Sequence, residues 1–143
     1  MPLTARQMKT KNGFTLIELL LVVVVIMILA LIAIPSYTKS KQRTMQREAV
    51  SNLKLMAAGE RIYRMEAGSY VACNCSNATN CANSTGCNTL LKLMLNTTYW
   101  IYSADASGNL TADARASTGM GACVYTLAPA SYNNEPTKGG SCP

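Results

Sequence analysis

From Phe14 to Ile34 the chain has 21 consecutive residues, of which Thr15 and Glu18 alone carry polar side chains. At about 1.5 Å rise per residue, a helix of this length covers the roughly 30 Å of bilayer hydrocarbon, so the run predicts a membrane-spanning helix. After Pro35 the pattern changes from continuous to periodic. Residues rich in Met, Leu, Ala, Lys, Arg and Gln continue a helical pattern from about Ser36 to Ala67, and Gly68 supplies a natural left-handed terminus. At 100° per residue, Met45, Ala49, Val50, Leu53, Met56, Ala57, Tyr63 and Ala67 form one broad apolar stripe, and Leu55, Ala58, Ile62 and Met65 form a second, nearly opposite. An ordinary surface helix needs one buried face. Two faces predict that one packs on the chain's own sheet and the other on neighbouring chains. Pro35, inside an otherwise helical pattern, lacks the N–H that would bond one turn back, so a bend or local unwinding is expected there.

Beyond Gly68 the period shortens. Val71–Thr89 is rich in Asn, Ser and Thr and carries four cysteines; Leu90–Leu95 is a short apolar stretch. Thr97–Tyr102 reads as a strand, Ser107-Gly108-Asn109 as a turn, Leu110–Ala116 as the returning strand and Cys123–Leu127 as a third. The fold class is therefore α+β: a long N-terminal α-helix, transmembrane in its N-terminal half, packed on a small antiparallel β-sheet with disulfide-stapled loops.

Charge adds a topology. Arg6, Lys9 and Lys11 precede the apolar run with no acid among them, which by the positive-inside rule predicts a single span with its N-terminus in the cytoplasm and an exported C-terminal part. The run is too long for a secretory signal, and Ala30 and Ala33 are wrongly spaced for its cleavage site. Of 13 basic and 7 acidic residues overall, removing the three leading cations leaves 10 and 7, a net +3. The excess is uneven: Lys39, Lys41, Arg43 and Arg47 form a collar just after the span, read as a solvated face, with a nucleic-acid or anionic-lipid patch as the alternative.

Six cysteines in an exported domain too small for a generous core point to disulfides. Nested pairs, Cys73 with Cys87 and Cys75 with Cys81, are expected in the Cys-rich loop 71–89, with interleaved pairing as the alternative; six cysteines allow 15 connectivities in all. Cys123 with Cys142 would close a loop of about 20 residues, contributing on the order of 3 kcal/mol. The rival, a zinc site, usually shows a C-x(2–4)-C knuckle and opposes the exported setting, so no metal and no cofactor are expected. No catalytic constellation is visible. Histidine is absent, the acids are scattered, and neither a Cys-x-x-Cys motif nor a phosphate-binding glycine loop occurs. Met56, Met65, Met94 and Met120 read as core filler. The Asn-x-Ser/Thr sequences at Asn74, Asn77, Asn83, Asn96 and Asn109 are expected to be compositional rather than glycosylated.

Glu18 is the informative exception in the apolar run. A carboxylate near a membrane centre costs on the order of 2.5 to 3.5 kcal/mol, less toward a helix end, so an intramembrane Glu calls for a function, the alternative being an interfacial Glu that snorkels. With the basic leader, Gly13 and Phe14-Thr15-Leu16-Ile17-Glu18-Leu19 ahead of a long apolar helix, the chain resembles the type IV pilin family, which includes the pseudopilins of type II secretion. Ala33-Ile34-Pro35-Ser36-Tyr37, Arg47-Glu48-Ala49 and Gly68-Ser69-Tyr70 extend the likeness through roughly the first half of the chain. The resemblance implies cleavage after Gly13 by a prepilin peptidase, N-methylation of Phe14, and assembly with other pilins by inner-membrane machinery into an extracytoplasmic filament. It divides the chain into a leader (1–13), a transmembrane and polymerisation helix (14–35), its amphipathic continuation (36–68) and a head (69–143) with a C-terminal disulfide loop (123–142), a common surface feature in that family and the expected contact surface here.

Physics supplies a reason for the motif. Cleavage would create a cationic amine one turn from Glu18, and pairing the Glu18 of one subunit with the Phe14 amine of another would neutralise two charges where unpaired charge is expensive. An intrachain pair is equally permitted by the spacing. Two other classes compete with a filament subunit. A membrane-anchored exported binding domain that never polymerises needs no cut at Gly13, and a disulfide oxidoreductase or metal-binding module would show free thiols or bound metal. Within the family, a type IV pilus serving adhesion, motility or DNA uptake is favoured over a secretion pseudopilus, because residues 122–143 hold one carboxylate, Glu135, too few for the calcium loop of many major pseudopilins. Any surface or DNA ligand of the head is left open.

Overall fold

The computed structural model describes residues 13–143, which divide after Thr38 into two units. Helix α1 (Leu16–Ala67) contributes to both, and its helical assignment carries on across Pro35. The leader cations Arg6, Lys9 and Lys11 lie outside the described residues.

Among the described residues of the first unit α1 has no core: its apolar run is unburied, and by length and composition this helix is apolar enough to cross a membrane. Leu16 to Ile34 leave their large apolar side chains exposed.

In the second unit burial starts at Met45 and follows the first apolar stripe: Met45, Ala49, Leu53, Met56 and Ala57 are all buried. They pack on a five-stranded antiparallel sheet of order β1-β2-β3-β4-β5, a meander of β1 (Cys73–Cys75), β2 (Trp100–Ala104), β3 (Leu110–Ala114), β4 (Val124–Leu127) and β5 (Thr137–Gly139). Alternation explains which face is inward: Trp100, Tyr102 and Ala104 of β2 and Leu110 and Ala112 of β3 are buried. Register places large beside small, with Trp100 opposite Ala114, Tyr102 opposite Ala112 and Ala104 opposite Leu110, so the two aromatic rings meet small cross-strand partners. Their polar atoms are satisfied. The indole Nε1–H of Trp100 donates to the Met45 carbonyl at 2.9 Å, Asn52 Nδ2 donates to the Tyr102 hydroxyl at 2.8 Å, and Trp100 meets Tyr125 edge-on at 5.6 Å.

α1 ends at Gly68, whose φ of +81° and N–H to the Arg64 carbonyl make the left-handed cap. The stretch 71–89 is not only loop. It holds β1 and two short helices, α2 (Ala78–Ala82) and α3 (Cys87–Leu90), and pairs Cys73 with Cys87 and Cys75 with Cys81, one bridge inside the other. The asparagines here and beyond act locally: Asn77 Oδ1 caps α2 by accepting the Asn80 N–H, while Asn74, Asn83 and Asn96 accept N–H groups two residues on. That turn chemistry also corrects one strand. Asn96 holds the Thr98 N–H and hydroxyl, so pairing starts at Trp100 rather than Thr97 and runs to Ala104. β3 stops at Ala114, two residues short of the expected end, where Ala116–Thr118 turns as a 3-10 segment.

Three further expectations need correction. Met56 and Met120 are buried, but Met65 and Met94 are 79% and 93% exposed, and Ala67, assigned to the inner stripe, is exposed. Met65 belongs to the second stripe, which the sheet does not cover; Met94 follows Lys92, whose φ of 54° turns the chain between Leu91 and Leu95, both buried.

Candidate assembly surface

At the start of α1, Thr15 acts as the cap: its Oγ1 accepts the Glu18 N–H at 3.3 Å and its carbonyl accepts the Leu19 N–H at 3.2 Å. Thr15-x-x-Glu18 is thus spaced as a capping box, a local role for these two residues that the apolar reading of the run overlooked. Phe14 is 82% exposed and precedes the helix. Helical geometry therefore does not set the spacing between Phe14 and Glu18 in this structure. Gly13, Phe14 and Glu18 stay clustered by sequence, and among the described residues no ion pair engages Glu18.

The second stripe of α1 forms an open wall. Leu55, Ile62 and Met65 are exposed, and Leu55, Gly59 and Ile62 face Leu91 and Leu93 across a cleft of about 500 Å³. Gly59 permits that approach, because a Cβ there would stand 3.0 Å from the Leu91 Cβ.

Between the C-terminal part of α1 and the sheet's far turn lies a polar hub that the sequence did not announce. Glu60 is fully buried; Oε2 accepts the Val71 N–H at 3.2 Å, whereas Oε1 has no partner among the described residues. Burial pushes its carboxyl above the ordinary carboxylate range, the Val71 N–H opposes that shift, and the charge of Asp105 adds to it. Asp105 itself is held below its ordinary value by Asn109, whose side-chain and backbone N–H groups both donate to it at 2.9 Å. Tyr132, buried beside this hub, donates its hydroxyl to the Gly108 carbonyl, and its phenol is raised by burial and by Glu60. Arg61 and Arg64 cover the hub from outside, stacked over Tyr132 and Tyr70 at 5.4 and 4.7 Å. Glu60 was missed because it follows the inner stripe at Ala49, Leu53, Met56 and Ala57 and looks like its polar border; the signal available was its phase on that stripe.

The C-terminal loop closes through Cys123–Cys142, with Cα atoms 4.4 Å apart, and β5 zips it onto β4 with Thr126 opposite Thr137. Gly140 is required: its φ is +69°, and a Cβ would lie 1.8 Å from the Ala122 carbonyl oxygen. Lys54 pairs with Glu135 across from α1 to this loop. Among the described residues no group of three or more His, Cys, Asp or Glu side chains is placed to hold a metal ion.

Residues 8–34 match the prokaryotic N-terminal methylation motif. The chain is 51% identical over 84 residues to a fimbrial protein of Pseudomonas aeruginosa (59% of this chain, 54% of that protein), and 47% identical over 59 residues to the type IV major pilin protein PilA of Myxococcus xanthus (41% and 27%). It is 30% identical over 64 residues to type II secretion system core protein G of Aeromonas hydrophila (45% of each). The matched parts thus span about half or less of each relative's length. None of these relatives is named as an enzyme, and no solved structure matches the chain.

Proposed function

We propose, from the likeness to type IV pilins and their prepilin motif, that this chain is a structural pilin subunit that polymerises through its N-terminal helix into a type IV pilus. The observation that carries this reading is the junction Gly13-Phe14-Thr15-Leu16-Ile17-Glu18 opening a helix whose apolar side chains are left exposed by the other described residues. Residues 1–13 act as a leader removed by a prepilin peptidase, Phe14 becomes the N-methylated terminus, 14–35 span the inner membrane and later the filament core, 36–68 carry the head, and 69–143 form its surface. Pro35 lets the rod bend. Glu18 of a seated subunit pairs with the Phe14 amine of the next. Because Lys39, Lys41, Arg43 and Arg47 follow the span, charge bias by itself does not fix the orientation; the N-in reading rests on the leader junction.

A pseudopilin of type II secretion is the second reading, favoured by the likeness to protein G. Higher identity to the fimbrial protein and a C-terminal loop closed by cystine, with Glu135 its lone carboxylate, support the pilus.

The test is filament yield from a strain expressing this chain as sole subunit, with the mature N-terminus read by mass spectrometry. Glu18→Ala strands the Phe14 amine, a loss of roughly 3 to 5 kcal/mol per contact by analogy with broken buried pairs, so processed subunits should accumulate in the membrane without filaments. Glu18→Gln separates charge from size. Normal filaments from Glu18→Ala would remove the pairing mechanism, and a mature terminus downstream of Ala33 would remove the pilin reading.

A further inference from the structure

Between the left-handed cap at Gly68 and the start of β1 at Cys73, which is bridged to Cys87, the chain passes Glu60 without regular structure. Its residues here are exposed or half-buried. The Val71 N–H donates to Glu60 Oε2 at 3.2 Å, and Arg64 Nη1 donates to the Tyr70 hydroxyl at 2.8 Å. Gly108 lets the Tyr70 ring close over the hub: a Cβ there would stand 2.8 Å from that ring, which meets Tyr132 edge-on at 6.2 Å. The other walls are better fixed. α1 is held on the sheet through Leu53, Met56 and Ala57, Asp105 accepts the Ser107 and Asn109 N–H groups of its own turn, and Tyr132 donates to the Gly108 carbonyl. The stretch 68–72 is thus the wall that opens at least cost, since moving it disturbs few buried contacts.

We propose that Glu60 is a proton-operated latch on this stretch: protonated, it stays dry and holds Val71 against α1; ionised, it draws water to Oε1 and the chain between Gly68 and Cys73 swings open. The geometry provides both states. A fully buried carboxyl with one backbone donor, and a second oxygen without a partner among the described residues, is tolerable when neutral, whereas the anion needs further donors. The groups facing it do not supply them. Asp105 is itself an acid and repels, the Tyr132 hydroxyl is given to Gly108, and the Tyr70 hydroxyl is bonded to Arg64. Arg61 and Arg64 lie over the outer faces of the two rings, and Arg61 donates to Asn133 Oδ1 at 2.8 Å. Burial raises the Glu60 carboxyl most, the Val71 N–H opposes that, and Asp105 adds to it. The closed state therefore holds the proton more tightly than the open one, and opening grows as pH rises. This is a local movement with α1 and the sheet in place, and it does not depend on the chain forming filaments.

The test is amide exchange of the full chain in detergent micelles, followed by NMR from about pH 4 to 8 and corrected for the intrinsic pH dependence of exchange. Protection at Val71 should fall about fivefold across that range, with a midpoint matching the titration of the Glu60 carboxyl carbon, while the amides of the β2–β3 ladder hold constant. In Glu60→Gln, which keeps an acceptor for Val71, protection should stay at the acidic wild-type level throughout. A flat wild-type profile at Val71 would overturn the latch, as would a fall that persists in Glu60→Gln or one whose midpoint departs from that of the Glu60 carboxyl. Ladder amides falling in step with Val71 would overturn it too, because the whole head would then be opening. The carboxyl titration is read on wild type, so the comparison survives a Glu60→Gln variant that fails to fold.

Discussion

One helix lives in two chemical worlds. From Leu16 to Ile34 α1 exposes Leu, Val and Ile side chains that no other described residue covers, whereas from Met45 to Glu60 the same helix buries its inner stripe to within a few per cent. Propensity does not separate the halves, since both are helical. The contrast shows where each half's stability comes from. The second half is stabilised by its own sheet, and the first requires a bilayer or other helices, because roughly 25 cal/mol is forgone per Å² of apolar surface left in water.

The largest test of this contrast is a pair of truncations. Trp100→Ala removes the ring that fills the space under Met45 and also leaves a helix carbonyl without its indole donor. A loss of about 3 to 5 kcal/mol is expected in denaturant unfolding of the head. Val24→Ala in the exposed half should leave that same transition within about 0.5 kcal/mol. Equal effects would mean that the span is part of the head's cooperative unit.

Opening the C-terminal bridge comes next. Cys123→Ser with Cys142→Ser frees a loop of 19-residue separation and should cost about 3 kcal/mol, lowering the melting temperature while far-ultraviolet circular dichroism keeps the signal of α1. Collapse of helical signal together with the loop would show that the head cannot hold α1 without its staple.

Glu60 sharpens the comparison from the other side, as a charge-bearing group buried where apolar residues belong. Its carboxyl is raised in the folded state, so the folded chain holds the proton more tightly than the unfolded one. The associated stability is fully present below the unfolded value near 4.5 and is lost as pH rises through the folded value. Glu60→Gln keeps an acceptor for Val71 N–H and removes the titration. The variant should exceed wild type by about 1 kcal/mol at neutral pH, with the gap closing toward pH ~4 in paired melting curves. Parallel curves would place the pH dependence elsewhere, Asp105 being the first candidate; its lowered value gives the opposite sign, with stability lost as pH falls.

The smallest expected effect on the monomer belongs to the second stripe. Leu55→Ser with Ile62→Ser alters exposed side chains and should shift head stability by less than about 0.5 kcal/mol each while reducing filament yield. A large loss of monomer stability would show that the cleft beside Leu91 and Leu93 is core and not an outer face.

Much of this was legible in the chain because it depends on local periodicity. A 21-residue apolar run, an inner stripe at helical spacing and a glycine just past its end do not need tertiary context to be read, and residues 100–104, 110–114 and 124–127 alternate clearly enough to be found. What escaped has a different origin. Residues 73–75 and 137–139 become strands through their neighbours: three residues carry no period of their own, and each is recognisable only from its ladder with β2 or β4. For the six cysteines, spacing named nested pairs but left the interleaved alternative open, and which of them form is set by which Cα atoms the fold brings within 5 Å. Burial of Glu60 and exposure of Met65 and Met94 invert what side-chain chemistry alone suggests. By itself, then, the sequence determined the elements whose hydrophobic pattern repeats along them, and the N-terminal motif that suggests their use. Tertiary structure alone decided which face is covered, which thiols meet and which carboxylate is cut off from water, because those outcomes depend on contacts between residues far apart along the chain.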